Sequence, residues 1–447
     1  MLTDNRLVAR LLRSSSWIIL GYGASQAFRL ISNLILAKLL FPEAFGLMAL
    51  ISVITLGLIL FSDVGIAPSI AQSDRGDDPA FLNTAWTIQV IRGFGLWITA
   101  CILAYPVSLF YGQPDLTFYL PIAAFAMVIN GFEPTRIQTA LRHLNLGRVT
   151  ALDLMSQLIG ITSMIVLAYL WQSVAALVVG GLITALAMLL LSYVFLPGQR
   201  NKFDWEKPAV NELVTFGKWI FLSTLFGFFS TQGDKAILGK FLSLQNLGIY
   251  NIGFFLASFP ILLGQNVTGR VMIPVYREMD SKDAAKISRI RYGLTAGLMS
   301  LLAFMALAGP WLVDHLYDER YLASGAVVSA VSIAMMPVVI GMTYDHAALA
   351  RGDSRRYFAL SATRACLQVG FLLLGVIAGG LIGALLGMAL GALLSHVVII
   401  WLARAHHVWD AKHDTVFFLF WVGAAVLTIW THGPMIIELL GMVGRST

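Results

Sequence analysis

The stretch Ile35–Ala49 reads ILAKLLFPEAFGLMA, and Ile237–Asn251 reads ILGKFLSLQNLGIYN. Leu-rich helices can match by coincidence, but a shared Lys-x-Leu and a shared glycine at fixed spacing favour a true internal repeat. The agreement therefore predicts two similar halves in one chain. At an offset of 202 residues the identical pairs are Ile35/Ile237, Leu36/Leu238, Lys38/Lys240, Leu40/Leu242 and Gly46/Gly248, together with Trp17/Trp219, Ile18/Ile220 and Leu20/Leu222.

The composition is that of an integral membrane protein. Of the 447 residues, 58% are hydrophobic and only 12% are charged, and the mean hydropathy is +0.79. A soluble domain has about a quarter of its residues charged. Apolar runs long enough to cross a bilayer recur along the chain, which predicts an all-α polytopic protein.

The apolar runs predict twelve membrane spans, and the basic residues orient them. With the N-terminus in the cytoplasm, twenty-one Lys and Arg residues fall on inner segments, whereas three, Lys38, Lys240 and Arg320, fall on outer loops. This asymmetry follows the positive-inside rule and makes a nucleic-acid partner an unnecessary explanation of the basic charge. The predicted spans are 16–37, 44–70, 80–104, 116–136, 150–170, 173–195, 214–237, 247–269, 290–313, 324–348, 357–378 and 380–403.

The spans divide the chain into four predicted segments. Residues 1–196 form an N-terminal six-helix bundle, 197–213 a cytoplasmic linker, 214–403 a C-terminal six-helix bundle and 404–447 an extension. The extension contains TVFFLFWVGAAVLTIW, which is either a thirteenth span or, over residues 415–443, a hairpin bent at HGP. Which side of the membrane the C-terminus occupies stays open.

The repeat predicts the kind of transporter. An offset of six spans is even, so both halves enter the membrane in the same direction, and they are related by an axis along the membrane normal. Transporters built from such parallel repeats place the substrate path between the halves. The Gly-rich run GLIGALLGMALG lies within the membrane, where small residues serve close helix packing.

Charged residues within the spans are the candidate functional groups, because a charge in the bilayer usually faces a cavity or a partner. The cationic candidates outnumber the anionic ones at depth, and arginine presents a rigid fork to phosphate oxygens. An anion is therefore the expected substrate. The candidates for substrate binding are Arg29, Arg92, Lys235 and Arg364; the candidates for ion coupling are Asp234, Asp345, His346 and Asp63. Snorkelling or a structural ion pair is the alternative for each.

Five stretches together resemble the polysaccharide and O-antigen exporters, the Wzx-type flippases of the multidrug/oligosaccharidyl-lipid/polysaccharide exporter superfamily. The resemblance covers about residues 10–403. The stretches are FPEAFGLMALISVI, FSDVGIAPSIAQ, FLNTAWTIQVIRG, IQTALRHLNLGRVTALDL and GDKAILGKFLSLQNLGIYN.

The resemblance implies two six-helix bundles that work by alternating access and move polyprenyl-diphosphate-linked oligosaccharide to the periplasmic leaflet of the bacterial inner membrane. Cationic cavity residues would hold the diphosphate, and a proton or sodium gradient would supply the coupling. The implied partners are membrane lipids, a polysaccharide polymerase and chain-length regulator proteins, with no cofactor, metal or nucleic acid. Several relatives have fourteen spans, one more than the largest number expected here.

Two other functions stay open. A drug or cation antiporter of the MATE type shares the architecture but needs a net acidic cavity. A membrane polysaccharide polymerase or ligase needs an outward site on a large loop, and the predicted outer loops are short. No catalytic residue is assigned, because the chain lacks the Walker, HExxH and GxSxG motifs.

Overall fold

The structure is a computed structural model that describes residues 2–63, 65–143, 145–278 and 284–439. Side chains are described from Gly21 onward, apart from positions 214, 216–223, 278, 284 and 354, so those of Trp17/Trp219, Ile18/Ile220 and Leu20/Leu222 lie outside the described set. The helices are α1 (Leu2–Leu39), α2 (Pro42–Leu60), α3 (Ile66–Gln72), α4 (Pro79–Tyr111), α5 (Asp115–Gly131), α6 (Arg136–Arg142), α7 (Leu146–Trp171), α8 (Val174–Phe195), α9 (Lys207–Phe241), α10 (Leu244–Glu278), α11 (Ala284–Leu316), α12 (Ala323–Ala350), α13 (Ser354–Ala405) and α14 (Ala411–Glu438).

The helices confirm a multi-pass membrane protein. In the described part of the chain, nine helices are long and apolar enough to cross a membrane, and the bent pair α5–α6 would make a tenth. One of the nine, α13, contains two of the predicted spans. The predicted spans 16–37 and 214–237 fall on α1 and α9, which include side chains outside the described set.

The predicted boundary between spans eleven and twelve is confirmed by a break inside α13. Gly379 (φ −153°, ψ 29°) and Gly380 (φ 57°, ψ −139°) leave the helical region. The two arms of α13 then pack tightly on each other: a Cβ on Gly375 would collide with the carbonyl of Gly383, and one on Gly387 with the carbonyl of Phe371. The Gly-rich run therefore serves helix packing, as predicted.

Two spans predicted to be continuous are broken in the structure, so the prediction was wrong for both. The second, 44–70, stops at Leu60, and α3 begins at Ile66. The Ser62 hydroxyl bonds back to the carbonyls of α2, and Gly65 has φ 64°, which a helix does not accept. The fourth, 116–136, stops at Gly131, and α6 follows at an angle of 63°. Pro134 cannot continue α5, because proline lacks the backbone N–H that the helix needs.

The hairpin alternative for the extension is also wrong. α14 is one helix that runs from Ala411 to Glu438 through Pro434, and it is long and apolar enough to cross a membrane. The Trp421 indole donates to the carbonyl of Ile333 at 3.0 Å, and His432 Nε2 lies 2.9 Å from the carbonyl of Leu307. α14, which corresponds to the predicted thirteenth span, is therefore packed on its neighbours α11 and α12.

The chain forms two compact units. Unit 1 comprises residues 1–40 and 50–225, and unit 2 comprises residues 41–49 and 226–447. In unit 1, α4 packs on α5, α5 on α8, and α7 on both α8 and α1. In unit 2, α12 lies at the centre and packs on α10, α11, α13 and α14. The predicted division into segments 1–196, 197–213, 214–403 and 404–447 stays a prediction.

Candidate functional site

The breaks in α2 and α5 border a polar cavity in unit 1. Its volume is about 250 Å³. Broken helices within a membrane expose backbone groups where the chain lines a cavity, and such places are where transporters bind their substrates. The lining residues are Ile59, Asp63, Ile66, Ala67, Pro68, Gln89, Arg92, Gly93, Leu96, Met127, Asn130, Gly131, Glu133 and Gln138.

Arg92 is a residue of α4, and its side chain contacts the C-terminal end of α2. Its Nε donates to Ser62 Oγ at 3.0 Å and its Nη2 to the carbonyl of Ile59 at 2.6 Å. The last carbonyls of a helix lack intrahelical partners and carry partial negative charge, which a guanidinium satisfies. The third nitrogen, Nη1, makes no hydrogen bond with any residue that the structure describes. Arg92 is thus fixed at two nitrogens and keeps a donor for a further acceptor.

Gln89 holds the break in α5, one helical turn before Arg92. Its Nε2 donates to the carbonyls of Asn130, Gly131 and Glu133 at 2.9, 3.3 and 3.2 Å. α4 and α5 approach closely here, since a Cβ on Gly93 would lie 2.6 Å from the carbonyl of Met127. α4 therefore positions both helix ends that border the cavity.

The cavity contains two carboxyl groups besides Arg92. Asp63 lies between α2 and α3, and its Oδ1 accepts a hydrogen bond from the backbone N–H of Gly65 at 2.9 Å. Glu133 lies between α5 and α6. The Oε1 of Gln138 is buried and has no partner among the described residues. Sequence reasoning missed Gln89, Glu133 and Gln138, although the break residues Gly131 and Pro134 were visible.

The other predicted cations lie elsewhere. Arg29 is an exposed residue of α1 and is not among the residues that line the cavity. In unit 2, Lys235 Nζ lies 5.6 Å from the centre of the Phe254 ring. Its neighbour Asp234 accepts a hydrogen bond of 2.7 Å from the hydroxyl of Tyr250. Asp234 and Phe254 both line a small cavity of about 60 Å³ in unit 2.

Two candidates of unit 2 form one ion pair. The Nη1 and Nη2 of Arg364 donate to the two carboxylate oxygens of Asp345, each at 2.8 Å, and the side chains are 21% and 14% exposed. His346 Nε2 lies 3.2 Å from Thr268 Oγ1, and its Nδ1 is buried without a partner in the described part of the chain. The structure thus brings Asp345 and Arg364 together, while their predicted roles stay predictions.

Solved structures of membrane transporters share this fold. The lipid II flippase MurJ in an inward closed conformation aligns with a TM-score of 0.63 over 94% of this chain and 99% of that one, at 12% identity. An inward-facing multidrug resistance MATE transporter of the MOP superfamily aligns with a TM-score of 0.61 over 86% and 94%, at 16% identity. The predicted fold class is confirmed: an all-α MATE/MOP-like repeat of two bundles with an additional C-terminal helix.

Similarity in sequence identifies the family to which this chain belongs. The lipopolysaccharide biosynthesis protein WzxC of Escherichia coli K12 is 23% identical over 303 residues, which is 67% of this chain and 59% of WzxC. The chain thus spans about three fifths of the length of this curated relative. The family described as polysaccharide biosynthesis protein matches residues 35–326, a region that includes both repeat segments and the Arg92 cavity. The chain belongs to this polysaccharide biosynthesis protein family.

Proposed function

We propose that this protein is a flippase for polyprenyl-diphosphate-linked oligosaccharide. It moves this lipid from the cytoplasmic to the periplasmic leaflet by alternating access, and the oligosaccharide is used to build O-antigen, capsule or exopolysaccharide. Membership of the polysaccharide biosynthesis protein family supports this function. The observation that carries the proposal is the guanidinium of Arg92 in a polar cavity between broken helices.

Arg92 suits a diphosphate by its chemistry. A guanidinium donor in a site of low dielectric binds a phosphate oxygen through a short, charge-assisted hydrogen bond. Nη1 supplies that donor. The hydrogen bonds of Nε and Nη2 already hold the guanidinium in place, so this side chain needs no further ordering when a phosphate binds. The oligosaccharide would occupy the polar volume, and the polyprenyl tail would stay in lipid. An inside-negative membrane potential favours outward movement of an anion by about 2.3 kcal/mol per charge per 100 mV.

Asp63 and Glu133 give this cavity a way to couple substrate to protons. Both carboxyls share the cavity with Arg92, and ionised carboxylates there would repel a diphosphate. A group that takes up a proton from the periplasm as the empty protein returns loses its share of that repulsion. Release of this proton to the cytoplasm after the diphosphate has bound restores the repulsion and weakens the hold on the anion before it is released outward. Asp63, an ion-coupling candidate from the sequence, has this role in our proposal, with a proton gradient as the energy source. Coupling to a sodium gradient would instead require Asp63 and Glu133 to be ionised, because a sodium ion binds to a negatively charged carboxylate.

The remaining candidates have secondary roles in the proposal. Arg29, Lys235 and Arg364 are proposed to bind the diphosphate at other stages of its movement. Asp234, Asp345 and His346 are proposed to couple ion binding to the change of conformation. The proposed location is the bacterial inner membrane with the N-terminus in the cytoplasm, and the proposed partners are a polysaccharide polymerase and chain-length regulators.

The experiment is complementation of a deletion strain with Arg92→Gln, Arg92→Lys and Arg148→Gln. Arg148 is the matched control, because it is an exposed arginine of unit 1 that does not line the Arg92 cavity. We expect Arg92→Gln to abolish surface polysaccharide and to accumulate lipid-linked repeat units on the cytoplasmic side. Arg92→Lys should retain part of the activity, since lysine keeps the positive charge but lacks the planar set of N–H donors of a guanidinium. Membrane levels of each variant are measured alongside.

Three outcomes would contradict the proposal. Normal polysaccharide export with well-expressed Arg92→Gln would remove Arg92 from the mechanism. Loss of drug resistance on deletion, with polysaccharide unchanged, would indicate a MATE-type antiporter. Lengthening of glycan chains by the purified protein would indicate a polymerase or ligase.

A further inference from the structure

A buried polar cluster in unit 2 joins α14 to its neighbours. Asp414 Oδ1 accepts hydrogen bonds from the hydroxyl of Tyr344 at 2.9 Å and from His413 Nδ1 at 3.0 Å. Its Oδ2 accepts from His396 Nε2 and from Trp409 Nε1, each at 3.0 Å. The side chains of Asp414, His396 and His413 are 8%, 4% and 0% exposed. One carboxylate in the membrane protein's interior thus contacts two imidazoles.

His413 can gain a proton without movement of any heavy atom. A carboxylate accepts hydrogen bonds and donates none, so the Nδ1 that faces Asp414 carries a hydrogen. The other nitrogen, Nε2, lies 3.0 Å from Thr295 Oγ1. A threonine hydroxyl both donates and accepts, so it satisfies Nε2 in the neutral ring and Nε2–H in the charged ring. Rotation of one hydroxyl hydrogen is sufficient for the change.

His396 cannot do the same. Its Nε2 carries the hydrogen that Asp414 accepts, and its Nδ1 is buried with no hydrogen-bond partner in the described part of the chain. Nδ1 faces the backbone of α12, 3.4 Å from the place that a Cβ on Gly341 would occupy, and the ring packs edge-on against Phe418. A proton on Nδ1 would create a charged donor without an acceptor, which costs more than the roughly 1–3 kcal/mol of a neutral orphaned group.

Further charged and titratable groups lie beside the cluster on α10, α11 and the loop before α14. Arg291 of α11 lies with its guanidinium 4.4 Å from the Tyr344 ring, donates to the hydroxyl of Tyr276 at 3.1 Å and approaches Asp410 at 3.9 Å. The Tyr292 ring lies 5.1 Å from His413. A charged Arg291 disfavours a second positive charge nearby, so the packed cluster holds one added proton more readily than two.

We propose that His413, Asp414 and His396 form a proton-binding site that controls the packing of α14 on unit 2. The first proton binds to His413 and leaves the packing intact. The second binds to Nδ1 of His396, which must first leave its place against Gly341 to find water or another acceptor. Because Asp414 and Phe418 of α14 contact the same ring, that movement loosens α14. Histidine is suited to this role because its charge changes near physiological pH.

A proton is the ligand that the geometry supports. Among the residues that the structure describes, no group of three or more His, Cys, Asp and Glu side chains could hold a metal ion. The proposal is independent of the flippase function, since it concerns proton binding and helix packing in the resting protein. Its test therefore needs no transport substrate, and failed transport would not decide it.

The first measurement is nitrogen NMR of the histidine-labelled full-length protein in lipid nanodiscs. The His396 and His413 signals are assigned with His396→Gln and His413→Gln, and the protein is titrated from about pH 8 to about pH 4.5, the range in which histidine changes charge. We expect His413 to become charged first as the pH falls. His396, which is neutral with its hydrogen on Nε2, should become charged afterwards by gaining a proton on Nδ1. In Thr295→Val, His413 should become charged only at lower pH. A neutral His396 throughout the range would overturn the proposal.

The second measurement is hydrogen exchange of the α14 amides at both ends of that range, corrected for the intrinsic effect of pH. Exchange should increase at least about tenfold, the factor for about 1.4 kcal/mol, on acidification of the wild type. His396→Gln, whose amide still donates to Asp414 but does not titrate, should lose the increase. His432→Gln is the control, because His432 of α14 bonds a backbone carbonyl. An increase that persists in His396→Gln, or none in the wild type once His396 is charged, would refute the proposal.

Discussion

Gly46 and Gly248, the two glycines related by the internal repeat, pack against each other within unit 2. A Cβ on Gly46 would collide with the carbonyl of Leu244 and lie 3.1 Å from the backbone nitrogen of Gly248. A Cβ on Gly248 would collide with the carbonyl of Pro42 and lie 3.2 Å from the nitrogen of Gly46. The contact is reciprocal, because each glycine of the repeat lies against the backbone nitrogen of the other.

Alanine at either glycine should therefore destabilise the protein. The backbones of α2 and α10 touch here, so a methyl group forces the helices apart, and overpacking of this kind costs about 1–3 kcal/mol. The measurement is thermal unfolding of the purified protein. Gly297→Ala, in α11 with open space at its Cβ, is the control and should be neutral or slightly stabilising, because alanine is the better helix former. Equal effects at the three positions would contradict the packing argument.

The repeat, the spans and the α13 break were accessible from sequence because hydropathy and glycine spacing are local signals. The breaks in α2 and α5 were not, since a hydropathy window averages over Ser62, Asp63 and Pro134 among apolar neighbours. Arg92 was found because a charge in an apolar run is conspicuous. Its partner, the carbonyl of Ile59, was not, because sequence does not show where a helix ends in space.

The cluster at Asp414 was missed for a different reason. His396 and His413 lie 17 positions apart on either side of a loop, and Tyr344 comes from a third helix. Only packing brings them onto one carboxylate. Asp345 and Arg364 were each identified as functional candidates, but their pairing across the α12–α13 connection was not anticipated.

The break in α13 should depend on Gly380 more than on Gly379. Gly380 has φ 57° and ψ −139°, a conformation that side chains with a Cβ rarely adopt. Gly380→Ala should cost about 1–3 kcal/mol of stability, the usual strain at such a position. Gly379→Ala is the control, since its φ is negative and its Cβ would meet nothing within 4 Å. Thermal unfolding of both variants measures the difference, and a larger loss for Gly379→Ala would count against the assigned backbone conformation.

Acidification should weaken the start of α4 through Asp78. This carboxylate accepts a hydrogen bond of 3.0 Å from Arg75 Nε and also caps α4 by accepting from the N–H of Ala80. The bond from Arg75 lowers the pKa of Asp78 below its ordinary value of 3.8. A lowered pKa in the folded state adds stability above the unfolded-state pKa, and this stability is lost as the pH falls through the folded value.

The measurement is the unfolding temperature of the wild type and Asp78→Asn from about pH 6 to about pH 3, a range that brackets the ordinary aspartate pKa of 3.8. The wild type should be the more stable protein at pH 6, and the difference should shrink toward pH 3. Asp74→Asn, an exposed position in the same loop, should follow the wild type. A constant difference between wild type and Asp78→Asn would show that Asp78 does not contribute through its charge.

Variants of the ion pair between Arg364 and Asp345 can separate two roles of Arg364, which are neutralising Asp345 and binding the substrate. Both guanidinium Nη atoms are occupied by the carboxylate, so Arg364→Gln leaves Asp345 as a partly buried charge without its partner. Asp345→Asn leaves Arg364 in the same condition. Each single change should cost about 3 kcal/mol, the lower end for breaking a buried pair, because water still reaches part of both side chains.

The double variant Arg364→Gln/Asp345→Asn removes both charges, so much of the stability should return. Polysaccharide export should stay reduced, since a diphosphate would compete with Asp345 for the same two N–H groups and the double variant offers it no cation. Thermal unfolding and complementation are measured on the same four proteins. If the double variant recovers both stability and export, Arg364 serves only to neutralise Asp345, and diphosphate binding in the proposed mechanism must depend on Arg92 and the remaining cations.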